Sequence, residues 1–230
     1  MSCPKGDGLL SHAHQPTPNM NKYLTEFIGT FFLVFTIGCN VLGGNSVAPL
    51  AIGAVLMVMV YAGGHISGAH YNPAVTLAVT LRGKCTPSDA VPYVIGQLLG
   101  AACATVAVRL LFSHKAEVFA TMDLSGKIAP VFLAELLCTF ALAWVVLNVA
   151  TSKDTAGNSN YGLAIGFTVA ACAFSVGSIS GGAFNPAVAL GAAMLGILKF
   201  ADIWVHIAAN LAGGALAAVA FKALSTADKE

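Results

Sequence analysis

Charge is what this chain has least of. Its 230 residues include 10 acidic and 11 basic side chains, 9% together, for a formal net charge of +1 and a pI near 7.6. A soluble domain carries about a quarter charged residues, so so few charges cannot clothe a water-facing surface. The near-neutral balance also gives no hold for nucleic acid or another polyanion. The six cysteines, at 3, 39, 85, 103, 138 and 172, stand singly, mostly inside apolar runs and without CxxC or other ligand spacing. Neither a zinc site nor a disulfide framework is indicated, and they read as small buried hydrophobes. His12 and His14 with Cys3 are too loosely spaced for a metal site. No phosphate loop or nucleotide fingerprint occurs. His65 and His70 lie near Ser67 with no carboxylate to complete a catalytic set, so no enzyme, cofactor or metal is expected. The first residues lack the apolar core of a signal peptide and read as a cytoplasmic tail.

What the chain has instead is apolar length. It is 57% hydrophobic with a mean hydropathy of +0.79. Six stretches, at about 23–43, 47–64, 92–112, 130–150, 161–178 and 202–222, are long enough or nearly so to cross a bilayer, which takes about 20 helical residues. Residues 1–21, with three prolines and no hydrophobic period, read as a disordered tail, and 223–230 as a second tail. A single channel-like domain over 22–222 remains between them.

Asn-Pro-Ala occurs twice, as Asn72-Pro73-Ala74 and Asn185-Pro186-Ala187, each inside a longer phrase. Residues 66–77, ISGAHYNPAVTL, and 179–190, ISGGAFNPAVAL, share eight of twelve positions. Glu26 and Thr30 recur as Glu135 and Thr139 at 109 positions' distance, against 113 for the two asparagines. The chain is therefore duplicated, with one repeat at about 22–112 and the other at about 130–222. Three spans per repeat is an odd number, so the halves cross the membrane in opposite directions as an inverted repeat.

Each phrase places Gly and Ser where backbone must be irregular, then an Asn that can cap, then a Pro suited to the first helical position. The apolar segments that follow, Val75 to Arg82 and Val188 to Leu198, are too short to span and read as re-entrant half-helices. Irregular backbone at membrane depth is tolerated only where protein buries it or where it lines a water-filled path. Gly68, Ala69 and His70, with Gly181, Gly182 and Ala183, can turn carbonyls toward such a path. Asn72 and Asn185 would offer amide donors at its centre, where two helix N-termini meet. One Asn-Pro-Ala alone would read as a capped helix. Two copies in matching context read as a pore that orients neutral polar molecules and repels cations.

With the N-terminus inside, seven Lys and Arg residues lie on the cytoplasmic side and four outside, an N-in orientation by the positive-inside rule. An adhesive role would need long exposed loops, and the outer loop at about 113–129 is short.

Residues 22–222 resemble the aquaporin, or major intrinsic protein, family. The resemblance rests on both Asn-Pro-Ala phrases, the Glu-x-x-x-Thr of spans one and four, Gln97, and Gly64-His-Ile-Ser-Gly-Ala-His70. It implies an all-α membrane fold of six transmembrane helices and two half-helices, a homotetramer in the plasma membrane with one pore per subunit, and passive permeation of water and small neutral solutes. It also implies that Glu26 and Glu135 hold the loop backbones by hydrogen bonds. Intramembrane carboxyls need partners, and no chain of ionisable groups continues from either, so they read as scaffold and not as a proton relay.

The chain departs from the family at its selectivity filter. The four positions map by spacing to Ile52, Ala173, Gly182 and Val188, where water-selective members carry an aromatic, a His, a small residue and an Arg. The missing Arg removes a fixed charge where the dielectric is low. Ile, Ala and Gly predict a wide, apolar mouth. Ala189 stands where glycerol facilitators carry Asp. Members associated with arsenite and methylated arsenicals are similar in lacking the Arg, which extends the expected solutes to such neutral species. A plain water channel with a relaxed filter is the alternative. Phe174 and Phe184 adjoin filter positions and would refill the pore if turned inward.

Overall fold

The computed structural model describes residues 19–113 and 121–225. The N-terminal His and Cys and most of the leading tail lie outside these. Eight α-helices are described: α1 Asn19–Leu42, α2 Ala48–Ser67, α3 Pro73–Arg82, α4 Pro87–Leu111, α5 Ile128–Thr151, α6 Tyr161–Ser180, α7 Pro186–Met194 and α8 Ile203–Leu224. Six are long and apolar enough to cross a membrane; α3 and α7 are not. The chain is an all-helical, multi-pass membrane protein built as an inverted 3+3 repeat, α1–α4 and α5–α8.

Boundaries shift from the sequence expectation for local reasons. The region taken as tail up to residue 21 already begins α1 at Asn19, and Thr25 Oγ1 donates to the Asn21 carbonyl at 2.7 Å within that first turn. The last helix likewise runs on to Leu224. α4 starts at Pro87, five residues before the apolar run, because Thr86 caps it by accepting from Asp89 N at 3.1 Å and Pro87 fills the first helical position. α7 stops at Met194, short of Leu198. The chain turns at Gly196, with φ 81°, and Met122 N donates to the Ile197 carbonyl at 2.9 Å, drawing the α4–α5 connection against this end.

The first and third long helices of each repeat pack together, α1 on α4 and α5 on α8, while α2 meets α6 across the pseudo-twofold axis. Both arrangements depend on missing side chains. A Cβ on Gly53 would lie 2.5 Å from the Gly166 carbonyl oxygen, and one on Gly166 2.4 Å from the Gly53 carbonyl oxygen. Gly100 and Gly213 repeat the pattern, with their Cβ positions 2.4 and 2.5 Å from the carbonyls of Phe27 and Leu136. The half-helices bridge the repeats, α3 packing on α8 and α7 on α4. The start of α1 and the end of α8, after an even number of crossings, share one face, called here the terminal face.

Gly53→Ala forces α2 and α6 apart against backbone, not against a flexible side chain. Overpacking of this kind costs about 1–3 kcal/mol, and thermal unfolding in detergent should show a lowered Tm, with Gly166→Ala equivalent.

Candidate functional site: two half-helices meeting at a pore

α2 ends at Ser67, and Gly68 leaves it in the left-handed conformation with φ 85°; Gly181 does the same after α6 with φ 86°. The following residues are strained. Ala69, Tyr71 and Phe184 have φ of 52°, 50° and 49°, values that side-chain-bearing residues adopt at a cost and keep only when their surroundings enforce them.

Two buried carboxylates supply that enforcement. Glu26 Oε1 accepts from Ser67 Oγ at 2.7 Å and His70 N at 2.9 Å, and Oε2 from Tyr71 N at 2.6 Å and Gln97 Nε2 at 2.8 Å. Glu135 Oε1 accepts from Ser180 Oγ at 2.7 Å and Ala183 N at 3.0 Å, and Oε2 from Phe184 N at 2.7 Å. Each carboxylate thus collects the orphan donors of one loop, which in a membrane interior cannot turn to water.

Both asparagines cap their half-helices. Asn72 Oδ1 accepts from Ala74 N at 2.8 Å and Val75 N at 3.5 Å; Asn185 Oδ1 accepts from Ala187 N at 2.9 Å and Val188 N at 3.4 Å. Their amides then reach across the pseudo-axis. Asn72 Nδ2 donates to the Phe184 carbonyl and Asn185 Nδ2 to the Tyr71 carbonyl, each at 2.9 Å. An amide nitrogen has two donors, so each asparagine locks the opposite loop with one and keeps the other for the pore.

A cavity of about 30 Å3 lies beside these asparagines, with Asn72 and Asn185 in its wall. Ile52, Gly182 and Val188 line it together, whereas Ala173, half-buried on α6, does not. Of the six residues expected to offer carbonyls, Ala69, His70, Gly182 and Ala183 are in the wall. Gly68 instead lines a vestibule of about 520 Å3 on the terminal face, and a Cβ on Gly181 would face Leu198 at 3.5 Å. Neither aromatic neighbour lines the cavity: Phe184, the repeat counterpart of Tyr71, is buried behind it, and Phe174 is 59% exposed.

A sequence profile of the major intrinsic protein family matches residues 13–221. The chain belongs to this family. Major intrinsic proteins are channels and not enzymes. "Aquaporin NIP1-2" of Arabidopsis thaliana is 34% identical over 98% of this chain and 80% of its own length. "Glycerol uptake facilitator protein-like 6" of Lactiplantibacillus plantarum is 38% identical over 91% of this chain and 100% of its own length. The X-ray structure of the aquaglyceroporin from Plasmodium falciparum superimposes with a TM-score of 0.78 at 23% identity, covering 90% of this chain and 97% of that one, and shows the shared fold.

Within this major intrinsic protein the repeats differ behind the loops. Tyr93 Oη donates to the Ser67 carbonyl at 2.8 Å, and His206, 113 positions later, meets the Ser180 carbonyl through Nε2 at 2.8 Å. A carbonyl only accepts, so that Nε2 carries the proton. Gln97 reaches both Glu26 and Thr76 Oγ1, the latter at 2.9 Å. Its counterpart Asn210 is one methylene shorter and accepts from Thr139 Oγ1 at 2.9 Å instead. His206 and Asn210 thus tie α8 to the end of α6 and to α5, and Tyr93 and Thr76 are members of this network that sequence reasoning passed over; Thr76 alone carried a signal. Its signal was the mismatch Thr76 against Ala189 inside the repeated phrase.

Glu26→Gln keeps the shape but turns an amide donor toward loop N–H groups. Each buried donor left unpaired costs about 1–3 kcal/mol, so a lowered Tm is expected with loss of permeation. Glu135→Gln should cost less, having three partners to disturb where Glu26 has four.

Proposed function

We propose that the protein is a passive channel for water and small uncharged solutes, with an apolar outer mouth formed by Ile52, Gly182 and Val188. The observation that carries this reading is the pair of capped half-helices whose asparagine amides border one small, largely apolar cavity. Two helix N-termini there place positive partial charge at the midplane. A neutral solute can exchange one water hydrogen bond for an asparagine amide, whereas a cation meets the positive ends of both half-helices.

Val188 at the position of the family's filter arginine leaves the mouth uncharged. That chemistry suits neutral metalloid acids and methylated arsenic species as well as polyols, and the name of the Lactiplantibacillus relative, a glycerol uptake facilitator-like protein, supports solutes larger than water. The small volume of the central cavity favours a second reading, a plain water channel, and a solute panel separates the two. The exposed apolar faces, with Leu163, Phe167 and Trp204 each about half exposed, suit lipid and subunit contacts in a homotetramer. We place both chain ends in the cytoplasm and the channel in the plasma membrane.

Stopped-flow light scattering on proteoliposomes, with water, urea, glycerol and a neutral arsenical, tests the reading in wild type and Val188→Arg. Wild type should pass the larger solutes, and the variant should suppress them while sparing water. Passage of water alone by wild type selects the plain water channel, and equal loss of both in Val188→Arg removes Val188 from the filter. A proton gradient across the same vesicles should persist, since the half-helix dipoles and both asparagines remain; a collapse that scales with protein content would overturn that barrier.

A further inference from the structure

We infer that the selective constriction lies on the terminal-face side of the asparagines, in a ring of Val60, Ala69, Val75 and Ile165, and not at the outer filter. The inference rests on the channel reading above and says where in that channel size is judged.

The inverted repeat generates the ring. The outer positions Ile52, Ala173, Gly182 and Val188 have as their partners, 113 positions away in either direction, Ile165, Val60, Ala69 and Val75. The structure supports this register independently of the Asn-Pro-Ala phrases: Gly53 and Gly166, one residue beyond the two isoleucines, face each other's carbonyls at the α2–α6 crossing. Ile52 and Ile165 are identical, as are Val188 and Val75. The remaining two positions differ, and both differ in the same sense: Val60 stands for Ala173 and Ala69 for Gly182. Three extra methyl groups therefore point into or crowd the inner ring.

Burial agrees. Val60 and Val75 are 2% exposed, Ile165 4% and Ala69 7%, while Ile52, Ala173 and Gly182 are only half-buried; the fourth outer position, Val188, is buried like its partner, at 5%. Placement agrees too. Ala69, Val75 and Ile165 line the central cavity, Val60 lines the terminal-face vestibule, and Ile165 lines both. The ring is thus the partition between a vestibule of about 520 Å3 and a cavity of about 30 Å3. None of its four side chains offers a donor or acceptor, so an ion would meet no side-chain ligand there to replace its hydration. Beside it, His70 is held by Thr76, Nδ1 to Oγ1 at 3.1 Å. Two constrictions in series act as resistances in series, and the tighter one sets the size limit.

Val60→Ala with Ala69→Gly gives the inner ring the residue types of the outer one. The Ala69 change also suits its φ of 52°, a region glycine enters freely. In proteoliposomes, glycerol and urea permeability should rise about fivefold or more, with water rising less. Ile52→Ala, which widens the outer ring, should raise them by less than about twofold. Val60→Ala alone, needing no backbone change, gives the same direction with a smaller rise and serves if the double variant inserts poorly. The inference is overturned if Ile52→Ala opens the channel to glycerol as much as the inner variants do, or if the inner variants leave glycerol and urea unchanged. Water permeability at the level of protein-free vesicles in wild type and all variants would instead overturn the channel reading itself, and this ring with it.

Discussion

Backbone polar groups inside a bilayer have no water to fall back on, and this chain breaks helical hydrogen bonding there twice. Everything distinctive about the structure follows from satisfying those two interruptions. Helices α2 and α6 stop at Ser67 and Ser180 with their loops already deep in the protein. The N–H groups that no helix can use turn to Glu26 and Glu135, and the first N–H groups of α3 and α7 turn to Asn72 and Asn185. Remove the carboxylates and the strained backbone at Tyr71 and Phe184 has nothing to hold it. The carboxylates are therefore placed for structure first, and the pore is a consequence of where the loops then lie.

The two asparagines couple the halves. Each caps its own half-helix with its oxygen and holds the opposite loop with its nitrogen, so neither loop can shift without disturbing the cap of the other. This reciprocity needs close approach of the repeats, which the facing glycines of α2 and α6 permit. It also explains why α3 and α7 pack on the last helix of the other repeat. The midplane is one cooperative unit and not two independent caps.

The half-helices were legible because capping chemistry is local: an Asn followed by Pro after Gly and Ser dictates a helix start whatever surrounds it. The inverted topology was legible from the odd number of spans per repeat. Helix ends were less so, since hydropathy marks the apolar part of a helix and misses a polar first turn such as Thr86 to Asp89. The filter positions were legible as spacings only. Spacing along α6 does not say which way Ala173 points, so its absence from the cavity wall had no sequence signal. The hydrogen bonds behind the loops, Tyr93 to Ser67 and His206 to Ser180, join residues 26 apart through tertiary packing, and unlike side chains fill the equivalent role.

Val188 stands where the family resemblance places a filter arginine, and the arginines this chain does have serve the half-helices instead. Arg82 closes the last turn of α3, reaching the Thr151 carbonyl at 3.5 Å and lying 4.9 Å over the Phe221 ring. Arg109, from α4, donates to the Met194 carbonyl at the end of α7. Each half-helix thus has a guanidinium at its negative end, a favourable pairing with the helix dipole. Neither charge lies among the residues that line the central cavity. The negative ends lie toward the two faces, while the positive ends meet at Asn72 and Asn185, whose side-chain oxygens accept from their first N–H groups. In the proposed channel those N-termini disfavour a cation, whereas a neutral solute recovers part of its lost hydration from the asparagine amides.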